Sequence, residues 1–295
     1  MSGDYAGPAS RSFFSQRLKL HYLDWGNEGA PLLLLVHGGR DHSHSWDWAA
    51  RALRDKWHVI APDLRGHGDS AWSPDGDYSL TAFVHDLAQL VHQLETESVI
   101  LVGHSLGGII SLTYAGLYPE QVRRIAAIES VGLRAFSDAR APLPERLRAS
   151  ISDRRMLSAR RPHRYATYDQ ALERMRSAYA SLSEEKARHL TLYGTLRNED
   201  DSYSWKFDNY VRGRAPVDIS TEQQRALWQS ISCPALFFHG GDGWAENPEQ
   251  DGTLVYFRDG RVVSLRGAGH WLHHDQFDRF MAELLAFLDP QPHTT

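Results

Sequence analysis

The residues most able to do chemistry lie in Gly103-His104-Ser105-Leu106-Gly107, a serine with a glycine two places before it and another two places after. A serine hydroxyl is a weak nucleophile at neutral pH and needs a base within hydrogen-bond reach, with a third group to orient that base. Sixteen histidines could supply the base. One of them, His270, sits in the glycine-rich stretch Gly267-Ala268-Gly269-His270-Trp271. A carboxylate, Glu129, follows directly on an apolar run, where it is costly unless it finds a partner. Serine, imidazole and carboxylate are the parts of an acyl-transfer centre if the fold brings them together.

Ser105 stands between two different patterns. Val99 to Val102 is short, apolar and rich in β-branched residues, which predicts a buried strand. Leu106 to about Leu117 predicts a helix ended by Pro119. A serine at such a strand–turn–helix junction is held in a strained backbone conformation with its hydroxyl outward, and the first free N–H groups of the helix face whatever it attacks.

Elsewhere, Arg17 to Trp25 alternates polar and apolar residues and predicts a strand with one wet face. Leu32 to Val36 is continuously apolar, as in a parallel strand buried on both faces. A helix over Trp46–Leu53, a strand over Trp57–Ala61, a helix over Leu80–Leu94 and a strand near Ile125–Ile128 follow. After a helix over Thr221–Ser230 come strands at Pro234–His239 and Arg261–Leu265, and a last helix at Gln276–Leu288. Alternating strands and helices predict an α/β protein with a doubly wound, mostly parallel sheet, whose ligands sit beyond the carboxyl ends of the strands. The loops after Val36, Val102 and Ile128 should therefore gather at one rim.

Between Gly132 and Thr221 the alternation stops, and helical stretches such as Tyr168–Ala180 and Glu184–Tyr193 take over. Residues 132–220 read as a helical cap, or lid, inserted after the sixth strand, with the core in 13–131 and 221–290 and a flexible tail in 1–12. The arginine-rich runs at Arg154, Arg155, Arg160 and Arg161 read as solvated faces.

Bulk properties narrow the classes. A net charge of −5 gives no support for nucleic acid or an anionic membrane as partner. A single cysteine, Cys233, rules out an internal disulfide and fits a reducing compartment. With no membrane-length apolar segment and no signal-peptide pattern at the start, the expectation is a cytoplasmic protein with a small-molecule substrate. No metal is expected: His42, His44, His273 and His274 show no ligand spacing. Nothing in the sequence specifies an oligomeric state.

Taken together the chain resembles the α/β-hydrolase fold family. The resemblance rests on His37-Gly38-Gly39 after the third strand, Asp63-x-Arg65-Gly66-x-Gly68-x-Ser70 after the fourth, the elbow at Ser105, and Gly269-His270 before the last helix. It implies Ser105 as nucleophile, His270 as base, and the backbone N–H groups of Gly39 and Leu106 as the oxyanion hole, with no cofactor. His37, Arg65 and Asp63 would brace loops.

For the acid, the family's usual spacing of glycine, two residues, then aspartate fails here. The slot holds Gly243, and Asp242 lies one place early. Other members carry the acid after the strand that follows the elbow helix, which is Glu129. Glu129 is the preferred acid and Asp242 the alternative.

The implied activity is a serine hydrolase acting on a carboxylic ester or lactone through an acyl-enzyme. Trp205, Phe207, Trp244 and Trp271, with Tyr210 and Trp228, are candidates for an apolar, aromatic pocket wall. A carbon–carbon bond hydrolase or a proline iminopeptidase-like enzyme could use similar residues, although Arg40-Asp41 departs from the iminopeptidase continuation. A small-molecule receptor on the same scaffold is the non-enzymatic reading.

Overall fold

A computed structural model describes residues 7–131, 141–213, 215 and 219–289. The core elements run β1 (Ala9–Ser15), β2 (Leu18–Asp24), β3 (Leu32–Val36), α1 (Asp47–Leu53), β4 (His58–Pro62), α2 (Leu80–Gln93), β5 (Val99–His104), α3 (Leu106–Leu117) and β6 (Val122–Ile128). The segment expected to be a cap, and called the cap for its position, follows with α4 (Leu143–Ser158), α5 (Tyr168–Ala178), α6 (Glu184–Gly194), β7 (Thr195–Arg197) and β8 (Tyr203–Trp205). The core resumes with α7 (Thr221–Ser230), β9 (Ala235–Gly240), β10 (Gly260–Leu265), α8 (Leu272–Asp275) and α9 (Phe277–Leu288).

Eight strands form one sheet in the order β1-β2-β4-β3-β5-β6-β9-β10. From β4 to β10 every neighbouring pair is parallel, while β1 and β2 enter antiparallel. Period-two alternation sends side chains to opposite faces, so Leu32, Leu34 and Val36 join one apolar cluster, with α2 and α3, while Leu33 and Leu35 join another, with α1 and α9. Each face is covered, and β3 is buried along its whole length.

One expectation needs correction. Residues 9–12, expected in a loose tail, belong to β1, because backbone pairing with β2 from Ala9↔Asp24 to Ser15↔Leu18 orders them although only Phe13 and Ser15 are buried. The expected cap segment is mainly helical and adds one short hairpin, in which β7 and β8 pair antiparallel. Residues 132–140 of the expected cap lie outside the described residues.

The cap is tied down by polar and apolar contacts together. Trp271 of the core completes a small apolar cluster with Leu172, Met175, Ala187 and Leu190 of α5 and α6. His42 Nε2–H donates to Leu190 O at 3.0 Å, Tyr78 Oη to Asp208 Oδ2 at 2.6 Å, and Lys206 Nζ to Asp69 Oδ1 at 2.8 Å. Among the described residues no helix is long and apolar enough to cross a membrane.

Candidate active site

The turn from β5 into α3 is as tight as the glycine spacing requires. Ser105 has φ 52° and ψ −117°, a conformation that a side-chain-bearing residue adopts only at a cost of about 1–3 kcal/mol. A Cβ on Gly103 would lie 2.5 Å from Gly107 O, and one on Gly107 would lie 2.2 Å from Val36 O. Neither position admits any side chain. The first amides of α3 to find carbonyls are those of Gly108 and Ile109, both bonded to Ser105 O, so the Leu106 N–H is left by helix geometry to face outward.

β5 and β6 run in register with His104 opposite Ile128, which sets Ser105 beside Glu129. Ser105 N–H donates to Ile128 O at 2.8 Å, and Glu129 N–H donates to Phe238 O at 3.0 Å. Glu129 is also left-handed, with φ 47°. Two adjacent strands thus end in two strained residues.

The Glu129 carboxylate is buried and fully engaged. Oε1 accepts from Gly240 N–H at 2.7 Å, and Oε2 accepts from Trp244 N–H at 2.8 Å and Ala245 N–H at 3.1 Å. Oε2 also lies 3.3 Å from His270 Nδ1. Burial pushes its pKa upward, but the His270 bond and the three amides outweigh that and hold it below the usual carboxylate range. An ionised carboxylate only accepts, so the proton of the pair sits on Nδ1, and His270 Nε2 is free to take one.

Glu129 reaches His270 because Gly243 makes room. A Cβ on Gly243 would stand 2.2 Å from Glu129 Oε2. The family's customary acid slot is therefore glycine, and the space its side chain would fill is taken by a carboxylate arriving from the neighbouring strand. Asp242, the alternative acid, is solvent-exposed on the outer side of the loop, its N–H bonded to Ala268 O.

His270 is held by its surroundings as well. His104 Nε2–H donates to His270 O at 2.9 Å, and the two rings lie 4.7 Å apart. His104 is wholly buried, and burial with the neighbouring His273 and His270 drives its pKa well down, so it is neutral and acts as a brace beneath the loop. Trp244 was expected in the pocket wall. Instead its N–H is bound to Glu129, and its ring stacks on His270 at 4.1 Å and 12°. Among the described residues no hydrogen bond joins Ser105 Oγ to the His270 ring. Catalytic hydrogen bonds commonly tighten only in the substrate complex.

The bracing residues fall where the sequence puts them. His37 Nε2 accepts from Leu64 N–H at 3.0 Å, tying the Gly38-Gly39 loop to the strand beside it. Asp63 accepts from His21, Ser43 N–H and Asp69 N–H. Arg65 grips Asp86 with two parallel bonds of 2.6 and 2.8 Å. Gly39 is exposed at the rim, and a Cβ on it would contact the Leu106 side chain at 3.8 Å.

A cavity of about 440 Å³ lies beneath the cap, bounded by Trp205, Phe207, Trp271, Tyr179, Arg40 and Arg212 among others. Of the six residues expected in a pocket wall, Trp205, Phe207 and Trp271 line this cavity. Arg40 follows Gly39 and Trp271 follows His270, so the cavity adjoins the centre without being lined by Ser105 or His270 themselves. Tyr179 and Trp271 stack at 4.1 Å and 7°. Trp228 is elsewhere, on α7 and stacked on Phe257. Tyr210 lines a separate surface cleft.

For metals, two clusters bring ligand atoms within 4.8 Å: His44, Asp47 and His189, and His21, Asp63 and Asp69. Hydrogen bonds already account for both. His44 Nδ1 and His189 Nε2 each lie 3.0 Å from Asp47 Oδ2, joining α6 of the cap to the core. Of the other histidines considered, His42 serves Leu190 O, and His274 Nε2 bonds Ser45 Oγ at 2.9 Å.

Comparison with known proteins places this geometry. A family model described as alpha/beta hydrolase fold matches residues 31–277. The chain is 27% identical over 280 residues to a mouse (Mus musculus) protein named epoxide hydrolase 4, covering 92% of this chain and 76% of that one. It is 27% identical over 276 residues to the mouse sn-1-specific diacylglycerol lipase ABHD11, covering 92% and 85%. Among solved structures, a thioesterase domain from the curacin biosynthetic pathway superposes with a TM-score of 0.81 at 24% identity, covering 95% of this chain and all of that one, a likeness of fold.

Proposed function

Since the chain belongs to the alpha/beta hydrolase fold family, we propose that it is a serine hydrolase cleaving a carboxylic ester or lactone, with Ser105, His270 and Glu129 as its catalytic residues. The observation that carries this reading is the Glu129–His270 contact at the rim where Ser105 emerges. Ser105 Oγ attacks the carbonyl carbon while its proton passes to His270 Nε2. Glu129 stabilises the imidazolium, and the negative oxygen accepts from the N–H groups of Leu106 and Gly39. The tetrahedral species collapses as the bond to the leaving oxygen breaks and His270 returns the proton to it. Water then attacks the acyl-enzyme by the same route, releasing the acid and restoring the serine.

The names of the relatives bear on the choice. A diacylglycerol lipase among them supports ester chemistry. The epoxide hydrolase name bears less, because epoxide hydrolases of this fold are expected to carry aspartate where this chain has Ser105. Turnover of p-nitrophenyl esters by the wild type and Ser105→Ala tests the proposal. The expected loss is about 10⁴-fold or more with the fold intact. Full activity in Ser105→Ala would refute it. No turnover by the wild type, together with tight small-molecule binding, would favour the receptor reading.

A further inference from the structure

Several arginines on the outer surface of the cap have acidic partners: Arg164 with Glu199 and Asp200, Arg176 with Glu173 and Glu184, Arg188 with Glu184, and Arg197 with Asp201. Those bordering the cavity do not. Arg40, Arg174 and Arg212 come from the loop after β3, from α5 and from the turn after β8, and they meet only in the fold. Among the described residues none of the three has a carboxylate partner. The Arg212 guanidinium instead lies over the Phe207 ring, 5.5 Å from its centroid.

Like charges brought together raise the free energy of the folded chain unless something of opposite sign joins them. Burial and the neighbouring Arg40, Arg160 and Arg174 all lower the pKa of Arg212, which places these charges within reach of one another. Asp41, beside Arg40, offsets these charges only in part near neutral pH, because burial pushes its carboxyl up to about 7. Arg40 is moreover held at φ 63°, a left-handed conformation that costs a side-chain-bearing residue about 1 kcal/mol or more. Strain and mutual repulsion thus converge on one wall of an otherwise aromatic cavity.

We propose that this cavity is an anion subsite, in which Arg40, Arg174 and Arg212 receive a carboxylate carried on the part of the substrate remote from the scissile bond. Tyr179, Trp205, Phe207 and Trp271 hold the apolar segment between the two ends. This rests on the ester-hydrolase reading for the word substrate, but the subsite itself does not. Guanidinium groups bind a carboxylate through paired parallel hydrogen bonds, which water-exposed ammonium groups do not match. Arg154, in one of the nearby arginine runs, is engaged elsewhere, donating to the backbone oxygens of Asp75 and Gly76.

The test has a binding arm and a turnover arm. In the first, 4-phenylbutyrate and the neutral 4-phenylbutyramide are titrated by calorimetry into wild type, Arg174→Gln and Arg212→Gln. The carboxylate should bind at least about tenfold more tightly than the amide, and each substitution should remove most of that difference. The melting temperature of the variants should not fall, since repulsion is being relieved. Equal binding of the two probes, or binding of neither, overturns the subsite whether or not the protein is an esterase.

In the second arm, p-nitrophenyl esters of straight-chain acids ending in carboxylate are compared with esters ending in amide, over a range of lengths. Higher kcat/KM for the carboxylate series, with the carboxylate-to-amide ratio falling toward one in Arg212→Gln, supports the subsite. Equal kcat/KM at every length overturns its role in substrate choice. Absence of all ester turnover refutes the hydrolase reading and leaves the binding arm to decide the subsite.

Discussion

The strand rim and the cap cavity treat charge in opposite ways. At the rim three buried charges are closed off: Glu129 has three amides and an imidazole, Asp63 a histidine and two amides, and Arg65 a two-pronged partner. In the cavity three guanidinium groups stand without a carboxylate among the described residues. The contrast separates two tasks. Groups that move protons must be fixed and desolvated in advance, because their geometry sets the barrier. Groups that recognise a ligand keep bonding capacity in reserve for it.

The closed side of the comparison is broken most directly at Gly243. Gly243→Ala places a methyl group where Glu129 Oε2 now lies, so the carboxylate must move off His270. Turnover should fall about 10²-fold and stability by about 1–3 kcal/mol, read from ester kinetics and urea unfolding. Because the two positions share one space, Glu129→Gly combined with Gly243→Asp should recover about tenfold or more over Glu129→Gly alone. Failure to recover would mean that position 243 cannot present an acid to His270.

On the open side, Trp271→Ala removes the ring stacked on Tyr179 while leaving His270 in place. KM for aromatic esters should rise about tenfold with kcat changed much less, the mark of lost ground-state binding. An equal fall in kcat would show that Trp271 also positions the base.

The smallest effect at neutral pH grows on acidification. Burial lowers the pKa of His37 to about 3 and of His42 and His67 to about 4, and drives His104, His273 and His274 well below the usual value. The unfolded chain protonates these imidazoles near pH 6.5, while the folded chain keeps them neutral. Stability is therefore full above about 6.5 and is lost as pH falls toward the folded values, by up to about 1.4 kcal/mol per pH unit for each such proton. Glu129, with its depressed pKa, adds to the loss only below about 4.5. Asp41, raised to about 7, works the other way, favouring the fold as pH drops through 7. Urea midpoints should fall steeply between pH 6.5 and 5. A flat profile would mean that the histidine cluster is protonated in the native state.

Much of the rim was legible in the sequence because it is built from short-range patterns. An apolar strand, a serine flanked by glycines and a helix specify the elbow locally, and Gly269-His270 lies just past an apolar strand. The preference for Glu129 rested on the resemblance to fold members that carry the acid after the strand following the elbow helix, together with an acid ending a buried run, and the geometry pairs it with His270. What could not be read is why: the φ of 47° at Glu129 and amides from residues 240, 244 and 245 depend on contacts across more than a hundred positions. β1 escaped notice because only two of its seven residues are buried, so pairing rather than pattern makes it a strand. α4 has just Ser150 and Leu157 buried and gives no apolar stripe to detect. The stacking of the Trp244 ring on His270 and the arginine wall were not legible in the sequence, since both are set by long-range packing.

The central claim is that Ser105 draws its reactivity from His270 oriented by Glu129 and not by Asp242. The most direct measurement is the rate at which a fluorophosphonate forms a covalent adduct on the Ser105 peptide, followed by mass spectrometry in wild type, Glu129→Gln and Asp242→Asn. The account predicts labelling slowed about 10³-fold or more in Glu129→Gln and within about threefold of wild type in Asp242→Asn. Undiminished labelling in Glu129→Gln with loss in Asp242→Asn, or an adduct on some other serine, would contradict it.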